Sequence, residues 1–156
     1  MRHADAITNR PATRADVPAI VALLADDPFG SGRETATDPL PDAYWRAFDD
    51  VAAQSGNVVL VAERGGAVVG CLQLTIIPGL SRRGMKRGLI EAVRVASACR
   101  GLGIGERLVL HAVEIARAGG CGLVQLTSDK SRANAHRFYE RLGFVASHVG
   151  MKLALD

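Results

Sequence analysis

The periodicities of this chain predict an α/β fold of the α+β type, a mixed and mostly antiparallel central sheet flanked by helices. Three observations carry that prediction. Two β-rich runs, Val58–Glu63 and Ala67–Ile77, meet across Arg64-Gly65-Gly66, a hairpin turn whose glycines can take positive φ. Segments 89–96, 104–118 and 123–127 read strand, helix, strand, a unit that crosses over right-handedly into parallel pairing. The chain has 156 residues and is 48% hydrophobic, enough for one domain, 1–156, to bury a core without metal or disulfide.

The other elements follow in order. Thr8–Ala12 reads as a short strand. Thr13 and Asp16 then offer capping oxygens before Val17, Ile20, Val21, Leu23 and Leu24, apolar residues at helical spacing. Asp26–Asp42 is polar and carries Pro28, Pro39, Pro41, Gly30 and Gly32, the composition of a loop that could act as a lid. Ala43–Gln54 reads as a helix with Trp45, Phe48, Val51 and Ala52 on one stripe. Residues 78–88 form a turn region before strand Leu89–Ala96. Ile104, Leu108, Ala112 and Ile115 mark a helix that Gly119-Gly120 ends. After strand Leu123–Thr127, Arg132–Leu142 reads as a helix closed by Gly143. Phe144–Ala146 and Val149–Leu155 read as a final pair of strands.

Composition excludes several functions. Disorder does not fit, and the longest clean apolar runs, such as Val58–Ala62, fall far short of the ~20 residues of a spanning helix. Met1–Ala12 has no apolar stretch resembling a secretory core. Cys71, Cys99 and Cys121 show no spacing suited to zinc, so no metal is expected; they read as reduced thiols of a cytoplasmic protein. The net charge of +3 hides an asymmetry, −4 over residues 1–56 and +7 over 57–156. A basic C-terminal portion suits a multiply phosphorylated ligand, yet the charge is too small and dispersed for a dedicated nucleic-acid binder.

Arg100-Gly101-Leu102-Gly103-Ile104-Gly105 lies between a strand and a helix. Glycines there let backbone approach a ligand, and the free amides and dipole of the helix start favour an anion. Arg100 adds a fork of donors. A dinucleotide fingerprint would need a sixth-position glycine where Glu106 stands, and no P-loop sequence occurs.

Arg100-x-x-Gly103-x-Gly105, after a strand and opening a helix, resembles the acetyl-CoA motif of the GNAT family of N-acetyltransferases, Gln/Arg-x-x-Gly-x-Gly/Ala. Some 30 residues on, Asn134-Ala-His-Arg-Phe-Tyr139-Glu-Arg-Leu-Gly-Phe144 is similar to that family's second block, and the element order matches along nearly the whole chain. The resemblance implies the acyl-CoA N-acyltransferase fold and an acetyl-CoA-dependent transfer to a primary amine, most simply a small amine or amino-acid-like metabolite. It further implies that backbone groups of Val93 and Val95 bind the pantetheine arm. The amides of Arg100, Gly101, Leu102, Gly103, Ile104, Gly105 and Glu106 would hold the pyrophosphate, and Asn134 would contact the cofactor. Tyr139 would protonate the departing thiolate, and Glu91 would serve as general base, usually through water. A homodimer is expected by analogy with similar proteins.

Other residues keep two readings. Alternation places Glu91, Val93 and Val95 on one strand face, but a bulge would change that register. His136 and His111 read as structural, His148 as structural or lining the acceptor pocket, and Thr127 and Ser128 as turn formers. Arg82, Arg83, Lys86 and Arg87 form either a solvated turn or a docking site for an acidic acceptor or phosphate-rich partner. The rival functions are acetylation of a protein terminus, a lysine or an aminoacyl-tRNA, and a non-catalytic CoA-binding module.

Overall fold

A computed structural model describes residues 6–156; the first five residues of the Met1–Ala12 segment lie outside the described part. Strands β1 (Ile7–Pro11), β2 (Asn57–Arg64), β3 (Ala67–Ile77), β4 (Lys86–Val95) and β5 (Cys121–Gln125) form one sheet in the order of the sequence. The first three pairings are antiparallel, and β4 with β5 is parallel, as a helix-borne crossover requires. Gly65 and Gly66 turn β2 into β3 with φ of 58° and 81°, the two positive values that a two-residue hairpin of matching twist needs.

Helices cover both faces. On one, α1 (Val17–Ala25) and α2 (Asp42–Ala53) lie over β2 and β3, with Leu23 of α1 packed against Val61 and Cys71. On the other, α4 (Ile104–Ala118) buries Ile104, Leu108, Val109, Ala112 and Ala116 against Leu60, Leu72, Leu74 and Ile90. Gly88 permits this approach, since a Cβ there would stand 3.1 Å from that of Ala116. A short turn, α3 (Ser81–Gly84), joins β3 to β4, and Arg82 and Arg83 take left-handed φ of 52° and 60° within it. Helix α5 (Ala133–Arg141) closes the described secondary structure.

Two expectations need correction. Strand β4 begins at Lys86, three residues earlier than the apolar pattern marks, because its first half pairs on both sides with β3 and β5. The final pair of strands does not form. Phe144 packs edge-on against Tyr139, 5.7 Å between ring centroids, and the chain beyond it makes no ladder. Val145, Val149, Met151, Leu153 and Leu155 stay 81–92% exposed. Alternation signals a strand that needs a partner, and the described part of this chain offers none to 149–155.

Candidate active site

The site follows from how β4 ends. Strand β5 pairs with β4 only from Lys86 to Leu89, while β4 runs on to Val95. From Ile90 onward the β5-side edge of β4 is open, so the sheet splits into a cleft whose wall is strand backbone. A bulge falls inside this stretch. Gln73 pairs with Glu91 and Cys71 with Arg94, which leaves Leu72 facing both Ala92 and Val93. Ala92 takes φ 54°, a left-handed value that an alanine adopts at a cost of about 1 kcal/mol or more.

The bulge resolves the register of the candidate base. Glu91 shares a face with Gln73, toward α1 and α2, while Val93 and Val95 pack with the α4-side core. Simple alternation would have kept all three together. Glu91 is exposed, and its carboxylate makes no hydrogen bond or ion pair with any described residue. The Val93 carbonyl accepts a bond from the Arg94 guanidinium at 2.9 Å.

The glycine loop closes the end of the cleft. Gly101 and Gly103 take φ of 78° and 75°, and a Cβ built on either meets nothing within 4 Å. No neighbouring side chain forces this bend, and the space over the two glycines is open. The first backbone bond of α4 runs from Arg107 N–H to the Gly103 carbonyl at 3.1 Å, and no side chain caps the helix. The amides of Gly101 through Glu106 precede that bond and have no backbone partner among the described residues. Such a group of free amides at a 15-residue helix's N-terminus fits a pyrophosphate. Arg100 is exposed beside it, with no ion pair among the described residues.

Helix α5 supplies the opposite wall. Phe138 and Val95 both lie 3.5 Å from where a Gly105 side chain would start, so α5, the end of β4 and the start of α4 converge. Tyr139 packs edge-on between Phe138 and Phe144, and its hydroxyl makes no hydrogen bond with any described residue. Burial pushes its phenol above the usual 10.0, against the opposing pull of the Arg132 and Arg94 charges. Asn134 is exposed at the first turn, its side-chain oxygen held by Arg137.

A buried ion cluster borders this wall, and only the structure assembles it. Asp27, 4% exposed, receives Arg94 at 2.9 Å and Arg132 at 3.5 Å, and its other oxygen accepts the Phe29 amide at 2.9 Å. The Arg94 contact is a charge pair without the alignment of a hydrogen bond. Asp26 accepts the Ser97 amide at 3.2 Å. The loop after α1 is thus fastened to both the bulge strand and α5. A charged residue between Val93 and Val95 was the sequence's one hint of it.

His136 contacts the Asp129 carbonyl at 2.8 Å, a turn contact, and His148 pairs with Ser147 on the surface at 2.7 Å. His111 lies within α4. Of the basic group, Arg82 and Arg83 precede β4 and Lys86 and Arg87 open it, whereas Arg100 follows its last residue; at strand rise the two ends are roughly 30 Å apart. Cys71 is buried with its thiol pushed up to about 12 by that burial. No group of three or more potential metal ligands occurs among the described residues, and no helix there is long and apolar enough to cross a membrane.

A sequence model of the acetyltransferase (GNAT) family matches residues 18–144. Glucosamine 6-phosphate N-acetyltransferase of Trypanosoma brucei brucei is 35% identical over 126 residues, covering 80% of this chain and 84% of that protein. Aminoalkylphosphonate N-acetyltransferase of Salmonella typhimurium is 37% identical over 95 residues, 61% of each chain. Among solved structures, a Bacillus halodurans C-125 protein named as a transcriptional regulator superposes with TM-score 0.94 at 47% identity, over 96% of this chain and 100% of that one. A match of this extent decides the family: the chain belongs to the acetyltransferase (GNAT) family and is an acyltransferase.

Proposed function

We propose that residues 1–156 work as one acetyl-CoA-dependent N-acetyltransferase domain that transfers an acetyl group to a small primary amine by direct attack, without an acyl-enzyme. The observation that carries this reading is the open cradle of amides at Gly101–Glu106 set at the end of the β4 cleft, across from the unpaired Tyr139 hydroxyl. The names of the relatives, both amine acetyltransferases, support a small-molecule acceptor.

Acetyl-CoA supplies an activated acetyl thioester. The Gly101–Glu106 amides and Arg100 hold its pyrophosphate, Asn134 contacts it, and the open backbone edge at Val93 and Val95 takes the pantetheine arm in strand-like fashion. Glu91, exposed beside the bulge, removes a proton from the amine through water. The amine nitrogen forms its bond to the carbonyl carbon, the carbon–sulfur bond breaks, and the Val93 amide donates to the oxygen that gains charge. Tyr139 gives its proton to the departing sulfur; its raised pKa keeps that proton in place at neutral pH. The Asp27 cluster holds Arg94 and Arg132 beside this exchange, where positive charge favours a leaving thiolate.

Amine-dependent thiol release tests the reading. Tyr139→Phe should lower kcat about 100-fold with acetyl-CoA affinity unchanged and stability within about 0.5 kcal/mol, since the hydroxyl bonds to no described residue. Equal turnover would remove the acid role.

The same reading places the protein in the cytoplasm as a homodimer. Five large apolar side chains in alternation along residues 145–155, each worth about 1.5–3 kcal/mol on burial, support an assembly that covers them. Met151→Glu with Leu153→Glu should turn a dimer into a monomer in sedimentation; a wild-type monomer would refute it. Acetylation of a polyanionic partner through the basic turn is the rival reading. A steep loss of activity with salt would favour it.

A further inference from the structure

We propose that the trough between α1, α2 and the sheet holds an apolar substituent of the acceptor, so that this enzyme's amine is aliphatic or arylalkyl, not an amino sugar. The inference rests on the acetyltransferase reading and narrows its substrate class.

The trough has a volume of about 140 Å³ and is walled by Ile20 and Leu24 of α1, Phe48 and Val51 of α2, and Cys71 and Ala92 of the sheet. An apolar cavity of roughly 150 Å³ takes a benzene ring, so one ring or one branched chain fits here. Its floor is continuous with the chemistry. Ala92 is the bulge residue itself, one position from the Val93 amide and one from Glu91, and Gln73, Glu91's pairing partner, stands at the rim. A primary amine with its carbon skeleton in the trough therefore presents nitrogen toward the cleft.

The walls offer little to a polar ligand. The Gln73 side-chain amide donates to Asn57 at 3.0 Å. The Tyr44 hydroxyl donates to Glu34 at 2.7 Å and accepts the Thr35 amide at 2.9 Å. Sugar hydroxyls placed here would lose water without gaining partners. The half-buried cations Arg94 and Arg132 already converge on Asp27, and Lys86 and Arg87 stand six and five residues along β4 from Ala92, roughly 15–20 Å away at strand rise. Helix α2 points the same way, for it buries no residue fully although Tyr44, Phe48 and Val51 share an apolar stripe over the trough.

The test is a comparison of ethylamine, isobutylamine, phenethylamine and glucosamine 6-phosphate in thiol release, alongside binding of 4-fluorophenethylamine followed by fluorine NMR. Phenethylamine should exceed ethylamine in kcat/KM by at least tenfold, on the order of fourfold per buried methylene. Ala47→Phe, at an exposed trough-lining position, should cut phenethylamine kcat/KM and probe binding at least tenfold, and leave ethylamine and acetyl-CoA affinity unchanged. Leu24→Ala should instead shift preference to a bulkier arylalkyl amine. Glucosamine 6-phosphate as the best acceptor, or equal loss on every amine in Ala47→Phe, would overturn the inference. Probe binding that Ala47→Phe abolishes, with no amine acetylated, would support the trough and refute the acetyltransferase reading.

Discussion

Replacing Gly103 by valine separates the phosphate cradle from the fold that carries it. The residue holds φ 75° at the start of α4, and a Cβ there meets no protein atom within 4 Å. A Cβ at this position therefore collides with no described residue, and the folding cost is chiefly that of a left-handed β-branched residue, about 1–2 kcal/mol. For a chain of this size that lowers Tm by roughly 2–8 °C. The new side chain occupies open space next to the amides of Ile104, Gly105 and Glu106, where the cradle reading puts the pyrophosphate. Charge-assisted bonds from such amides contribute about 1.5–3 kcal/mol each, so losing two weakens acetyl-CoA binding by at least about 100-fold. Asparagine at the same position tolerates the left-handed backbone better, so Gly103→Asn should keep most of the stability and still lose affinity. Calorimetric titration with acetyl-CoA, alongside thermal unfolding, reads both quantities. A Gly103→Val protein that binds within threefold of wild type would refute the assignment of the cradle.

Glu91→Gln should lower kcat about 100-fold with acetyl-CoA affinity unchanged; turnover equal to wild type would assign the base elsewhere. Wild-type activity should persist on the alkaline side until beyond the ordinary phenol range, because burial raises the Tyr139 pKa; Tyr139→Phe should erase that limb. Asp16 is held at about 2, chiefly by the Arg10 guanidinium at 2.7 Å, against 3.8 for a free aspartate. Its folded-state pKa is depressed, so its contribution is complete above about pH 4 and disappears as pH falls toward about 2. Asp16→Asn should therefore cost about 1–2 kcal/mol near neutrality and flatten the acid side of the stability curve in urea titrations. Parallel curves for the two proteins would contradict this.

Local signals carried most of the architecture. The Gly65-Gly66 turn, the apolar stripe of residues 104–118 and the glycine loop are each written in a few neighbouring residues, and strand β3 and helix α4 have the bounds the pattern gives. What depended on distant partners was not legible. The bulge at Ala92 arises from pairing with Leu72, so the face of Glu91 could not be settled from alternation. Asp27 from the loop after α1, Arg94 from β4 and Arg132 from the residue before α5 meet only in the fold. The C-terminal alternation predicts a strand pair that does not form, because residues 149–155 find no pairing partner among the described residues.

Direct transfer from acetyl-CoA to an amine is tested most simply by intact mass. The protein is incubated with acetyl-CoA alone, and then with a primary amine, while free thiol is counted. The account predicts an unmodified protein at both stages, thiol release only after the amine arrives, and one acetylated amine per thiol. An acetylated protein that passes its acetyl group to the amine, or thiol release without any acetylated amine, would contradict it.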